Sequence, residues 1–181
     1  LGDNTSTNRL YPVQVKDSAG TGYFTAALAV SSSWNTSMIL KNDGTVWAWG
    51  NNEAGQIGDG TTTNKLIPVQ VKDSAGTGYL NNVSKIHSTH VSATGGYTSA
   101  SFAIKNDGTV WAWGTGASGV LGFGSPFYPW SMRSLPAPVK DSTGNNNLNN
   151  VNKLSGNNGS VIAHKNDGTV WGWGLNGNGQ L

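Results

Sequence analysis

One ten-residue phrase occurs three times in this chain and constrains its fold more than any other feature. It reads KNDGTVWAWG at residues 41–50 and again at 105–114, and KNDGTVWGWG at 165–174. The copies lie 64 and 60 residues apart, and residues 1–23 align with 57–79 at 18 of 23 identical positions. Self-similarity at such a period marks supersecondary units that each bury a face against the next. It also supplies an internal control. A residue recurring in every copy is architectural, and one that breaks the pattern is a candidate for something else.

The phrase itself reads as a hairpin. Asn-Asp-Gly separates residues 37–40 (SMIL) from residues 45–49 (TVWAW), and Asp-Gly supplies the positive φ that a tight turn demands. Gly44, Gly108 and Gly168 are the three glycines of that turn. In the second strand Val46 and Ala48 point one way, and Trp47 and Trp49 the other. Both faces are apolar, so a packed neighbour is expected on each side. Residues 12–15 and 28–31 read as two further strands, with no helical period anywhere. Repeated units of about four short strands describe β-propeller blades. Trp47, Trp49, Trp111, Trp113, Trp171 and Trp173 are then packing between blades, each able to withdraw about 150–250 Å² from water.

The run W-x-W-G-x-N-x-x-G-Q-[IL]-G-D-G, followed by P-V-x-V and then K-N-D-G-T-V-W-A-W-G, occupies residues 47–60 and 68–71, and in part 171–181. It resembles repeats of the regulator of chromosome condensation family, closest to the bacterial versions, over essentially the whole chain. The resemblance implies an all-β propeller with blades of four antiparallel strands, typically seven to a ring. One column departs from the family. Where Gly-x-x-His-(Ser/Thr) usually precedes the hairpin, the histidine position holds Thr36, Ala100 and Ser160.

Propellers close with about four to eight blades, so three leave two flanks of W-x-W surface bare. The final Gly-Asn-Gly-Gln-Leu and the opening Leu1-Gly2-Asp3 together repeat the internal run Gly55-Gln56-Ile57-Gly58-Asp59. The expectation is three repeats in permuted register, approximately residues 1–56, 57–120 and 121–181. They form a fragment of a longer propeller, or copies associate through exposed blade flanks into a ring or an open array.

The ionisable residues follow the repeat. All eight Asp fall in repeated columns and Glu53 is the only solitary acid; among basic residues Arg133 alone stands outside. General acid–base chemistry needs a specific pair in differing environments, so no catalytic residue and no enzyme activity is expected. Charged residues are 11% of the chain with a net charge of +2, which argues against a nucleic-acid partner. No apolar stretch is long enough for a membrane span. Without Cys there is neither disulfide nor thiolate metal site.

Three motifs reduce to architecture. Residues 114–119 match G-x-G-x-x-G, but in repeat register they are a turn with no helix behind it. His87-x-x-His90 falls in an eight-residue insertion peculiar to the second repeat and reads as a solvated loop, since two His rarely make a metal site. Four N-x-(Ser/Thr) sequons are what a chain this rich in Asn, Ser and Thr carries by chance. No metal and no cofactor are expected.

What remains is irregular aromatic content. Between Leu121 and Pro136 the third repeat carries about four extra residues, and Phe127, Tyr128, Trp130 and Arg133 stand where the others have polar GDGTTTNKL. Tyr, Trp and Arg are preferred anchors of binding patches. Two readings stay open: the segment covers a hydrophobic edge of its own blade, or it is a contact surface. Trp34 and Tyr97 are further candidates. The function expected is a non-catalytic protein–protein interaction or scaffold module of a secreted or cell-surface bacterial repeat protein, with an unidentified protein partner. Alternatives are a structural subunit assembling into a filament or surface layer, and glycan binding through exposed aromatics.

Overall fold

The structure is a computed structural model describing residues 1–93, 96–124 and 132–181, with side chains described throughout these except at 93, 96 and 97. It is all-β. The first sheet holds β1 (Ala27–Ser33), β2 (Thr36–Lys41), β3 (Val46–Gly50) and β4 (Lys65–Gln70) in that spatial order. The second holds β5 (Val83–Ala93), β6 (Gly96–Lys105), β7 (Val110–Thr115) and β8 (Met132–Pro138). The third holds β9 (Val151–Asn157), β10 (Ser160–Lys165) and β11 (Val170–Gly174). All neighbouring strands are antiparallel, and the sheets stack as successive propeller blades with β5 beside both β1 and β9.

The repeated phrase builds its hairpin by a side-chain clasp. Gly44, Gly108 and Gly168 take φ of +79°, +77° and +84°, open to glycine at little cost. The Asp43 carboxylate accepts from the Thr45 amide at 3.0 Å and hydroxyl at 2.6 Å. Asp107 and Asp167 hold Thr109 and Thr169 in the same way. This sets the register Leu40 opposite Val46, Ile104 opposite Val110 and His164 opposite Val170.

Two sequence expectations are corrected. Residues 12–15 form no strand, although their counterparts lie in β4 and β8 and pair with the W-x-W strands β3 and β7. A P-V-x-V segment thus completes the sheet before it, and each complete sheet takes its fourth strand from the following sequence repeat. No W-x-W strand lies beside residues 12–15, so their backbone finds no ladder.

The insertion in the second repeat is no solvated loop. It lengthens the inner hairpin: β5 has 11 residues where β1 has 7. The extension is held from both sides. Ser99 meets Ser33 through their hydroxyls at 3.2 Å, and Ser88, just before the extension, meets Ser31 at 2.8 Å. On the other side the Gly159 amide donates to the His90 carbonyl at 3.1 Å, and the Ser92 amide to Asn158 Oδ1 at 3.3 Å.

The core lies between sheets. Met38, Leu40, Val46 and Ala48 of the first meet Ala103 and Trp113 of the second, closed over by Ile57, Val71 and Leu80. Phe102, Ile104, Val110 and Ala112 of the second meet Val161 and Ala163 of the third, closed over by Val120, Leu121, Val139 and Leu148. Each fully buried Val, Leu, Ile, Phe or Met side chain among them contributes about 1.5–3 kcal/mol.

Candidate functional site

The two tryptophans of each W-x-W pair do different work. The first stays on its own hairpin. Trp47, Trp111 and Trp171 donate their indole N–H to Thr45, Thr109 and Thr169 at 3.1, 3.2 and 3.0 Å. The ammonium groups of Lys41, Lys105 and Lys165 sit over their rings. The second reaches the preceding unit. Trp113 Nε1 donates to the Gln56 carbonyl at 2.9 Å, and Trp173 Nε1 to the Val120 carbonyl at 2.7 Å. The indole lies so close to Gly58 that an added Cβ would stand 2.7 Å from Trp113 Nε1. Only glycine admits that approach.

The loop that receives Trp113 is rigid. Asn52 is fully buried, donating through Nδ2 to Asp59 and to Thr61 and Thr63 carbonyls while its Oδ1 accepts from Ile57 N. Gln56 Nε2 donates to Asn51 Oδ1 at 2.6 Å, and its Oε1 accepts from Ala54 N at 2.8 Å. Trp49 packs over Gly2 in the same manner. Its Nε1, however, is buried with no hydrogen-bond partner among the described residues.

One flank of the molecule is bare. Met38 and Val46, and their counterparts Phe102 and Val110, are at most 1% exposed, whereas Ile162 and Val170 in the same columns are 40% and 65% exposed. A cleft of about 370 Å³ runs beside β11, lined by Leu121, Phe123, Gly124, Lys140, Trp171 and Trp173 among others.

Of the candidate binding residues, Phe127, Tyr128 and Trp130 lie outside the described residues, as does the Tyr97 side chain. Trp34 sits at the β1–β2 turn and is 66% exposed. Arg133 lies on β8 opposite Gly114, as Lys65 lies opposite Gly50. It is therefore a repeat residue after all, sharing a column with Arg9 and Lys65. Arg9 and Lys65 pair with Asp3 and Asp59 at 2.6 and 3.1 Å. Phe123 replaces that Asp, and the Arg133 guanidinium lies 5.4 Å from its ring centroid. The extra residues between Leu121 and Pro136 hid this column from a count along the chain; counting back from Pro136 would have found it.

The electrostatics are those of turns and joints. Hydrogen bonds from Thr45, Thr109 and Thr169 hold Asp43, Asp107 and Asp167 below the usual carboxylate range. At Asp59 burial pushes upward, but bonds from Thr61 and Lys65 outweigh it and the net shift is downward. His87 lies on β5 beside Phe102, its Nε2 buried without a partner among the described residues, and burial lowers its pKa. Residues 114–119 contain one 3₁₀ turn, Ala117–Gly119, with Ser118 at φ 57°, and among the described residues no α-helix follows to receive a phosphate. Among the described residues no three of His, Asp and Glu gather as metal ligands, and no helix is long and apolar enough to cross a membrane.

Family comparison agrees with this geometry. The family model for the regulator of chromosome condensation (RCC1) repeat matches residues 43–100, and a second of the same description matches residues 27–56. Residues 27–100 are thus matched as RCC1 repeats. The human E3 ubiquitin-protein ligase HERC2 is 27% identical over 184 residues, covering all of this chain and 3% of HERC2. The ultraviolet-B receptor UVR8 of Arabidopsis thaliana is 33% identical over 95 residues, 52% of this chain and 19% of UVR8. The chain thus spans only a small part of the curated relatives it matches.

Among solved structures, human WBSCR16 superposes with a TM-score of 0.65 at 16% identity, over 96% of this chain and 40% of that one. Yeast RCC1 (Prp20), bound to Kap60, gives 0.62 at 17% identity, over 91% and 37%. At these identities they show the propeller fold alone.

Proposed function

We propose that this RCC1-repeat segment is a non-catalytic protein-interaction module that presents loops and blade flanks on a rigid β scaffold. The observation that carries this reading is the segment after Gly122. There the repeat abandons its polar GDGTTTNKL for Phe123, Phe127, Tyr128 and Trp130, with Arg133 stacked on Phe123. Variation on a scaffold gathers where function is, and these residue types anchor protein contacts. A solved relative, Prp20p of Saccharomyces cerevisiae, is described with binding properties to Gsp1p and histones, which supports the class of function by analogy. Capture of a protein partner by the wild-type chain, and its loss in Trp130→Ala/Arg133→Ala, is the expected result. Retention of every partner by that variant counts against the reading.

The finer setting belongs to the same proposal: a fragment of a longer, about seven-bladed repeat protein, bacterial, secreted or displayed at the cell surface, where it serves as a scaffold. Low charge with abundant Asn, Ser and Thr supports an exposed, uncharged polar surface of that kind. Surface proteolysis of intact cells checks it. A second reading is favoured by the exposure of Ile162 and Val170, whose counterparts are buried. On that reading the open flanks associate, as a ring or as a filament or surface layer, and particle imaging separates rings from fibres.

A further inference from the structure

We infer that the joint between the second and third sheets is acid-sensitive, loosening when His87 takes up a proton, and that the joint between the first and second sheets is not. The inference is independent of what the module binds. It rests on residues that face one another across β5, β6 and β9.

The two joints differ at one pair of columns. Ser31, His87 and Ser155 hold equivalent places on the inner strands, opposite Met38, Phe102 and Ile162. In the first joint Ser31 meets Ser88 of the next sheet, hydroxyl to hydroxyl, at 2.8 Å. In the second joint the same two columns hold His87 and Gly156. The imidazole takes the room that the missing side chain leaves. A Cβ added to Gly156 would stand 3.3 Å from His87 Nε2, and 2.6 Å from the Ser160 carbonyl oxygen. A small polar pair that satisfies itself is thus exchanged for one titratable ring set against bare backbone.

Nothing at the second joint receives an imidazolium. His87 Nε2 is buried with no hydrogen-bond partner among the described residues. The ring lies against Phe102, centroids 6.2 Å apart, and Phe102 lies against Trp173 at 6.5 Å. The residues that β6, β7, β9 and β10 bury here, Phe102, Val110, Leu154 and Val161 among them, are apolar. Two cations share the joint. Lys85, two residues along β5, donates to the Asn152 carbonyl and Oδ1, and Lys165 at the end of β10 sits over the Trp171 ring. A cleft at the rim adds Lys105 and Asp107, whose carboxylate is held by Thr109. In the loop that closes over the joint, Lys140 bonds Asn147 and Asp141 bonds Thr143. Lys153 and His164 alternate with buried Leu154 and Ala163 and so point to the opposite face of the third sheet. None of these groups forms an ion pair with His87 among the described residues. A proton on His87 therefore places a cation in an apolar joint that already holds Lys85, with no carboxylate to offset it.

Opening the joint lets the imidazolium meet water. Burial lowers the pKa of His87 in the closed joint, so below about pH 6.5 the open form binds the proton more tightly. The closed joint is fully favoured above that pH and loses ground as pH falls toward the lowered value. Each pH unit in that window multiplies the opening by up to about ten. The first joint supplies its own control. His90 alternates with His87 and shares the face of Ile86 and Ser88, which meet the first sheet. Neither of its ring nitrogens is buried without a partner among the described residues. Each joint also carries its own reporter. Trp113 Nε1 donates to the Gln56 carbonyl across the first, and Trp173 Nε1 to the Val120 carbonyl across the second.

The test is hydrogen exchange of the Trp113 and Trp173 indoles by NMR across the range from about pH 7.5 to about pH 5.5. The ratio of their protection is the readout, because the intrinsic pH dependence of indole exchange cancels in it. The His87 ring is titrated in the same samples. Trp173 should lose up to about tenfold in protection relative to Trp113 between about pH 6.5 and about pH 5.5, and the His87 ring should titrate below about 6.5. His87→Gln, neutral throughout, should hold the ratio constant, and His90→Gln should leave the wild-type decline in place. A constant ratio in the wild type, a decline that persists in His87→Gln, or equal losses at both indoles overturns the inference. A His87 ring that titrates at or above the ordinary histidine value overturns it without any variant.

Discussion

The second and third sheets share the valine that opens their W-x-W strands and differ in what covers it. Val110 of the second is fully buried beneath the third sheet and its loops; Val170 of the third is 65% exposed. Local pattern shapes each hairpin, since Asp107 and Asp167 clasp their threonines at equal distances. Burial is conferred by the neighbour. The unit that folds locally and the unit that is stabilised therefore differ, as expected of arrays whose stability sums over interfaces.

Aspartate at the two valines breaks the comparison most sharply. Val110→Asp buries a charge and should cost roughly 4 kcal/mol or more. Val170→Asp in the single chain should fall within about 0.5 kcal/mol of wild type. Urea unfolding of both variants reads the difference directly. Equal costs would mean that the third sheet's face is covered.

The tryptophans give a second contrast. Trp113→Phe removes a bonded indole, whereas Trp49→Phe removes a buried donor with no partner. The two lose similar area, so Trp113→Phe should be the more destabilising by about 1–2 kcal/mol. Thermal unfolding of the pair checks it.

A smaller effect follows from His87, half-buried on β5. Burial disfavours its charged form, so its folded pKa lies below the ordinary value. Below about pH 6.5, the ordinary histidine value, the unfolded chain binds the proton more tightly. Stability is then full above that pH and declines as pH falls toward the folded pKa. His87→Gln should remove this decline in a pH series of unfolding midpoints, while the losses below about pH 4 from the Thr-clasped aspartates remain. The smallest effect is at a clasp. Asp107→Ala should cost less than about 1 kcal/mol, the net value of exposed hydrogen bonds, visible as faster amide exchange at Thr109.

Much of this was legible in the residues. The clasped turn follows from Asn-Asp-Gly-Thr, and the two faces of β3 follow from the alternation of Val46, Trp47, Ala48 and Trp49. Sheet membership was not legible. Whether Pro68-Val69 opens one blade or closes another depends on pairing with Trp47 and Ala48, which no local pattern reports. The insertion around His87 resembled a loop because its Ser, Thr and Gly content is that of loops, yet added in register to both arms it lengthened a hairpin. Arg133 seemed solitary because extra residues before it displaced its column. The division of labour within each W-x-W pair was also hidden. Identical indoles find different acceptors, Thr45 on the same hairpin or Gln56 across a joint, only once the blades stand side by side.

Hydrogen exchange at the indole N–H groups, followed by NMR, tests most directly whether the second tryptophan of each pair joins one blade to the one before it. The account expects slow exchange at Trp113 and Trp173, shielded within inter-blade bonds, and fast exchange at Trp171 on the open hairpin. Rapid exchange at Trp113, or equal rates at all three, would contradict it.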